Sequence, residues 1–133
     1  MLYYIAARYS LMKSNSRKPE EFLPLTPAMF HILLALADKE RHGYHIMREV
    51  EERTSGNVKL GPGTLYGSIK RMIGDGLIEE LDERPAPDLD DERRRYYRLT
   101  DFGYRVAAAE AQRLEQLVRS ARAKKLLPRT KTG

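Results

Sequence analysis

Two sets of side chains in this sequence are equipped for chemistry. His42 and His45 lie three residues apart, with His31 upstream and Glu49 and Glu51 close behind. Imidazoles beside a carboxylate are the parts of a hydrolytic zinc site, which also needs a third ligand and a positioned base. No HExxH or comparable spacing is present, and Ser, Thr and His show no nucleophile elbow or triad order. The expectation is no catalysis, no metal and no cofactor. The second set is "PGTLYGSIKR", residues 62–71, with the arginine-rich stretch that ends at Arg98. Hydroxyls on Thr64 and Tyr66 can hydrogen-bond to base edges or phosphates, Lys70 is placed for a phosphate or a guanine edge, and Arg71 adds a second cation beside it. Arginines suit the phosphate backbone and the minor groove. This is the chemistry of holding double-stranded DNA, with no bond made or broken.

A helix over 62–73 must position that second set. At 100° per residue, Leu65, Ile69, Met72 and Ile73 fall on one side and predict its core face. Gly63, Thr64, Tyr66, Gly67, Lys70 and Arg71 fall on the other. Pro62 takes the first helical position, where its missing N–H costs nothing. Each glycine costs such a helix roughly 1 kcal/mol relative to alanine. On the outer face, Gly63 and Gly67 remove the Cβ atoms that would hold the helix off a major groove. The free N–H groups of its first turn face phosphate. Close helix–helix packing, the other use of such glycines, conflicts with their position opposite the apolar side.

The flanking elements follow from caps and breakers. Thr26 caps and Pro27 opens a helix over 27–38, with Met29, Phe30, Leu33, Leu34 and Leu36 inward. Gly43 starts a second helix, 43–54, with Tyr44, Ile46, Met47 and Val50 on its inner side. His42 shapes the turn before it, and Tyr44 packs beneath the third helix or reaches a phosphate. "VKL", 58–60, has the makings of a very short strand. Gly74-Asp75-Gly76 stops the third helix, and 77–83 and 93–100 read as two strands of a hairpin. Alternation turns Arg94, Tyr96 and Arg98 outward and puts Tyr97 and Leu99 inward, on the side shared with Arg93 and Arg95. The connecting tip carries Asp88, Asp90, Asp91 and Glu92, which repel phosphate, so only the base of this wing is expected on DNA. Those acids read as a solvated tip rather than a metal site.

Thr100 and Asp101 cap a last helix that runs to about 126. The fold class is therefore mainly α with a small β-hairpin: a winged helix-turn-helix followed by a long C-terminal helix. In that helix Ala107, Ala111, Leu114, Val118 and Ala121 recur at alternating spacings of four and three, widened by Phe102, Val106 and Leu117. Such a seam leaves an apolar stripe for a second copy, and a dimer predicts an inverted-repeat operator. The domains divide as an N-terminal helix or arm and linker over 1–21, the winged helix over 22–100, and the dimerisation helix and basic tail over 101–133. In the arm, Leu2, Ile5, Ala6, Tyr9 and Met12 share one helical face.

The chain has 133 residues, 41% hydrophobic and 32% charged, and no cysteine, which excludes disulfides and thiolate metal sites. The net charge of +5 resides in the last 18 residues, which hold six cations and no acid. Everything before them has 18 basic against 19 acidic side chains, so a DNA surface must rest on local patches. The apolar start is too short to span a bilayer, and the expected location is cytoplasmic, on the bacterial nucleoid.

The motifs HGY (42–44), LGPGTLY (60–66), DGLIE (75–79) and RRYYRLT (94–100), in this order and spacing, resemble the PadR family of bacterial transcriptional regulators over about residues 23–104. The single C-terminal helix resembles its short subgroup. The resemblance implies a dimeric winged-helix repressor, often of nearby efflux or stress genes and often released by a small aromatic or lipophilic effector. It also implies that Thr64, Tyr66, Ser68 and Lys70 lie in the DNA-facing helix. The alternative is a winged-helix module for ligand sensing or protein interaction that no longer reads sequence; an acid-lined outer face would favour it, and this face ends in Lys70 and Arg71.

Overall fold

The computed structural model describes residues 17–81 and 95–128. A 3-10 turn, Pro19–Phe22, leads into α1 (Pro27–Ala37), β1 (Arg41–His42), α2 (Gly43–Arg53), α3 (Pro62–Gly74), β2 (Ile78–Leu81), β3 (Tyr96–Leu99) and α4 (Asp101–Ala123). The three strands form one antiparallel sheet in the order β1-β3-β2. The expected helix-turn-helix and hairpin are present. The N-terminal residues 1–16, the wing tip with Arg93 and Arg94, and the last residues of the basic tail lie outside the described residues.

Caps form where hydroxyl side chains precede a helix. Thr26 Oγ1 accepts from the Met29 N–H at 3.2 Å. Thr100 Oγ1 accepts from the Gly103 N–H at 2.9 Å and donates to the Gly76 carbonyl at 2.6 Å, tying α4 to the end of α3. Gly76 adopts a φ of +78°, the left-handed turn that ends the third helix.

The core joins Ile32, Leu33 and Leu36 of α1, Ile46 and Val50 of α2, Leu65, Ile69 and Met72 of α3, Tyr97 of β3 and Phe102 and Val106 of α4. Three residues expected inside are exposed instead: Leu34, Tyr44 and Ile73. Each sits one step round its helix from a buried neighbour, at the edge of a core too narrow to cover it.

Residues 58–60 form no strand. The Val58 N–H is taken by Thr54 Oγ1 at 3.0 Å, which ties this segment to the end of α2 rather than to the sheet. The third strand is Arg41–His42, in register with Tyr97 and Tyr96. Arg41 fixes its approach by donating to the Ala35 carbonyl at 2.7 Å.

The stretch before α1 is held on α4. Phe22 meets Phe102 edge to face, with ring centroids 5.5 Å apart. Beside it, Glu110 is buried on the inner face of α4, where it accepts from the Leu25 N–H at 2.7 Å and from Arg113. The hydrogen bond from Arg113, helped by the one from Leu25, lowers the Glu110 pKa against the opposing effect of burial. A carboxylate with a depressed folded pKa contributes stability above its unfolded pKa, and loses it as pH falls through the folded value. Glu110→Ala should therefore cost about 2 kcal/mol at neutral pH, because it also strands the Leu25 N–H. The variant should lose less stability than the parent as the pH falls below about 4.3, the unfolded carboxylate value. Urea unfolding at pH 7 and pH 3 measures both.

Candidate nucleic-acid interface

The third helix begins at Pro62 behind Gly61, and no side chain caps it. The N–H groups of its first turn are thus open to an outside acceptor. Pro62, Gly63, Thr64, Gly67, Lys70 and Arg71 are all exposed, and Ser68 is half-buried beside them. A Cβ built on Gly63 or on Gly67 meets nothing within 4 Å. Neither glycine packs against another element among the described residues. The outer face is smooth over its first two turns and cationic in its third.

Tyr66 departs from the helical-wheel expectation. It is half-buried, and its ring lies over Gly43 at the start of α2. A Cβ on Gly43 would sit 2.5 Å from the Tyr66 hydroxyl oxygen. Tyr66 thus joins α3 to α2, and the absence of a side chain at position 43 makes the approach possible. Position 66 lies only 100° from Leu65, on the flank of the helix, which lets the long phenol fold back onto the domain.

At the same corner His42 caps α2. Its Nδ1 accepts from the His45 N–H at 3.3 Å, so the proton of the neutral ring belongs on Nε2. The His42 ring stacks on His45, with centroids 3.8 Å apart, and meets Tyr96 edge-on at 5.4 Å. The expected role of His42 in shaping this turn is met. Tyr44 does not pack beneath the third helix; its hydroxyl accepts from Arg48 at 3.1 Å on the surface. Among the described residues no cluster of three or more His, Asp or Glu is placed to hold a metal ion.

The wing strand keeps the expected alternation. Tyr97 is buried, Tyr96 half-buried and Arg98 exposed. Arg98 and Glu79 are register partners across the hairpin, joined by a side-chain ion pair with Nε and Oε1 2.5 Å apart. Arg95 lies on the inward side with Tyr97, as the alternation predicts. It lines an open cleft between α3 and the wing with Lys70, Ile73 and Glu80. Spacing alone gives no signal for that cleft, because it forms between elements distant in the chain.

The last helix divides in two. Phe102, Gly103, Val106 and Glu110 are buried in the domain. Beyond them Ala111 is exposed, Leu114 and Ala121 are half-covered, and Leu117 and Val118 stand 55% and 37% exposed, while Ala107 is half-buried at the junction. The seam residues Ala107, Ala111, Leu114, Leu117, Val118 and Ala121 are thus on one helix. Its C-terminal half has no partner within the described part of the chain. Phe102 and Val106, read as widening the seam, belong to the core instead.

A family model described as the transcriptional regulator PadR-like family matches residues 32–109. A transcriptional regulator of Mycobacterium tuberculosis is 34% identical over 89 residues, covering 67% of this chain and 77% of that protein. A transposon-encoded protein of Streptomyces fradiae is 36% identical over 90 residues, 68% of this chain, but the match spans only 24% of its length. In structure the chain is similar to a PadR family transcription regulator of Clostridium difficile, with a TM-score of 0.62 and 26% identity over 74% of this chain and 97% of that one. A transcriptional regulator of Clostridium thermocellum shares the fold at 22% identity, with a TM-score of 0.61 over 72% and 87% of the two chains.

Proposed function

This chain belongs to the PadR-like family of transcriptional regulators, and from that premise we propose that it is a dimeric repressor that lays α3 in the major groove of an inverted-repeat operator. The observation that carries the reading is the outer face of α3, which is bare at Gly63 and Gly67 and ends in Lys70 and Arg71. Thr64 and Ser68 lie at the height of the base edges, Lys70 and Arg71 reach a guanine edge or a phosphate, and Arg98 with Arg94 and Tyr96 rests on the backbone beside the wing. Pro62 and the open N–H groups of the first turn receive a phosphate, and Tyr44 offers a hydroxyl at the same edge. Tyr66 acts by fixing the angle between α2 and α3.

Two copies meet along the C-terminal half of α4, where Leu117 and Val118 lack cover and Leu114 is only half-covered in a single chain. Burying about 1,200 Å² or more of combined surface there is what a stable dimer requires. A small aromatic or lipophilic effector enters between these same helices and alters the spacing of the two reading heads. The protein works at the nucleoid; no helix among the described residues is long and apolar enough to cross a membrane.

Footprinting of the full chain on the DNA flanking its own gene tests this. Two protected half-sites related by a two-fold axis, one or two helical turns apart, are expected. Uniform protection, or none, removes the operator reading.

A further inference from the structure

The cleft between α3 and the wing encloses about 270 Å³. Tyr66, Ile73 and Tyr97 form its apolar wall, Lys70 stands on one rim, and Arg95 and Glu80 stand on the other. Arg95 Nε is buried and makes no hydrogen bond. The Glu80 carboxylate lies 3.5 Å from it, an ion pair too long to satisfy the N–H well. A buried N–H donor without an acceptor is costly, even though the Arg95 side chain as a whole is 36% exposed, and an anion entering the cleft would supply one.

Resting on the DNA-binding reading above, we propose that this cleft seats one phosphodiester of the DNA strand that passes between the major groove at α3 and the wing. Lys70 and Arg95 are its two cationic jaws, and Glu80 is the carboxylate that the phosphate displaces. Lys70, Arg95 and Glu80 together carry one net positive charge, which matches one phosphodiester. The exposed Ile73 side chain gives the deoxyribose an apolar surface that a free inorganic phosphate would leave unused. Arg95 is thereby a DNA contact distinct from the outward arginines of the same strand. Alternation places it on the face of Tyr97, and that face lines the cleft.

The test measures binding of the full chain to the footprinted duplex and to a mixed-sequence duplex across a salt series. Arg95→Gln should weaken binding about ten-fold on both, and lower the slope of log K against log salt by about one, since a phosphate contact is sequence-independent. Glu80→Gln should tighten binding about three-fold, and that gain should vanish in the Arg95→Gln background. Arg95→Lys keeps the charge without the fork and should restore the slope and part of the affinity. Circular dichroism and melting check that each variant folds. Unchanged affinity and slope in Arg95→Gln would overturn the proposal, as would an equal gain from Glu80→Gln in both backgrounds. Millimolar inorganic phosphate that raises the melting temperature through Arg95, with DNA affinity untouched by Arg95→Gln, would make the cleft a free-anion site and overturn it too. A parent chain that binds neither duplex at any salt would overturn the DNA-binding reading itself.

Discussion

Gly67→Leu should leave a folded protein that has lost its operator, with affinity falling at least about 100-fold, equivalent to about 2.7 kcal/mol. Position 67 is exposed, and a Cβ there has no neighbour within 4 Å, so a leucine can enter without a clash at its branch from the backbone. Leucine is also the better helix former, by roughly 0.8 kcal/mol, so the melting temperature should stay level or rise slightly. The loss arises only when DNA is present, because the branched side chain holds the helix axis off the groove floor. Affinity by fluorescence anisotropy and stability by thermal melting should therefore move independently. Normal operator binding by this variant would mean that the glycines have some other purpose.

Gly103→Ala should have the opposite profile and destabilise the fold itself, by about 3 kcal/mol. A Cβ at position 103 overlaps the Leu77 carbonyl, with the Leu77 carbonyl carbon only 2.8 Å away. The obstacle is backbone, so no rotamer change relieves it. Here α4 crosses the chain just as it leaves α3 for β2, and the same Leu77 carbonyl accepts from the Thr100 N–H at 3.1 Å. Alanine's higher helix propensity, about 1 kcal/mol, offsets only part of the strain. Gly43→Ala meets a movable phenol instead of backbone and should cost less. Urea denaturation of the Gly103 variant measures the effect, and an unchanged midpoint would show that α4 and the end of α3 separate without penalty.

The elements were legible in the sequence because their signals are local. Thr26, Thr100 and Gly76 perform the capping and stopping their residue types suggest. The smooth, cationic outer face of the third helix was also legible, since a wheel needs only spacing. What was not legible depends on distant partners. Tyr66 looks outward on a wheel, and only the empty space above Gly43, more than twenty residues away, draws it in. The two-residue strand Arg41–His42 has no periodicity of its own and exists because Tyr96 and Tyr97 pair with it. Glu110 offered a signal that the seam pattern passed over: an acid on the face of Val106 and Leu114, which a buried position tolerates only with partners such as Arg113 and the Leu25 N–H. Gly103 carries no local signal of its role, because the carbonyl it must clear comes from another element.

On the proposed function, α3 reads a base sequence as well as holding the DNA backbone. The most direct test of that reading is the ratio of affinities of the full chain for the footprinted site and for a scrambled duplex of equal length and composition, at physiological salt. A ratio of at least about 10³ is expected. Equal affinities, both falling with salt along the same slope, would contradict it and leave a basic surface that binds DNA without reading it.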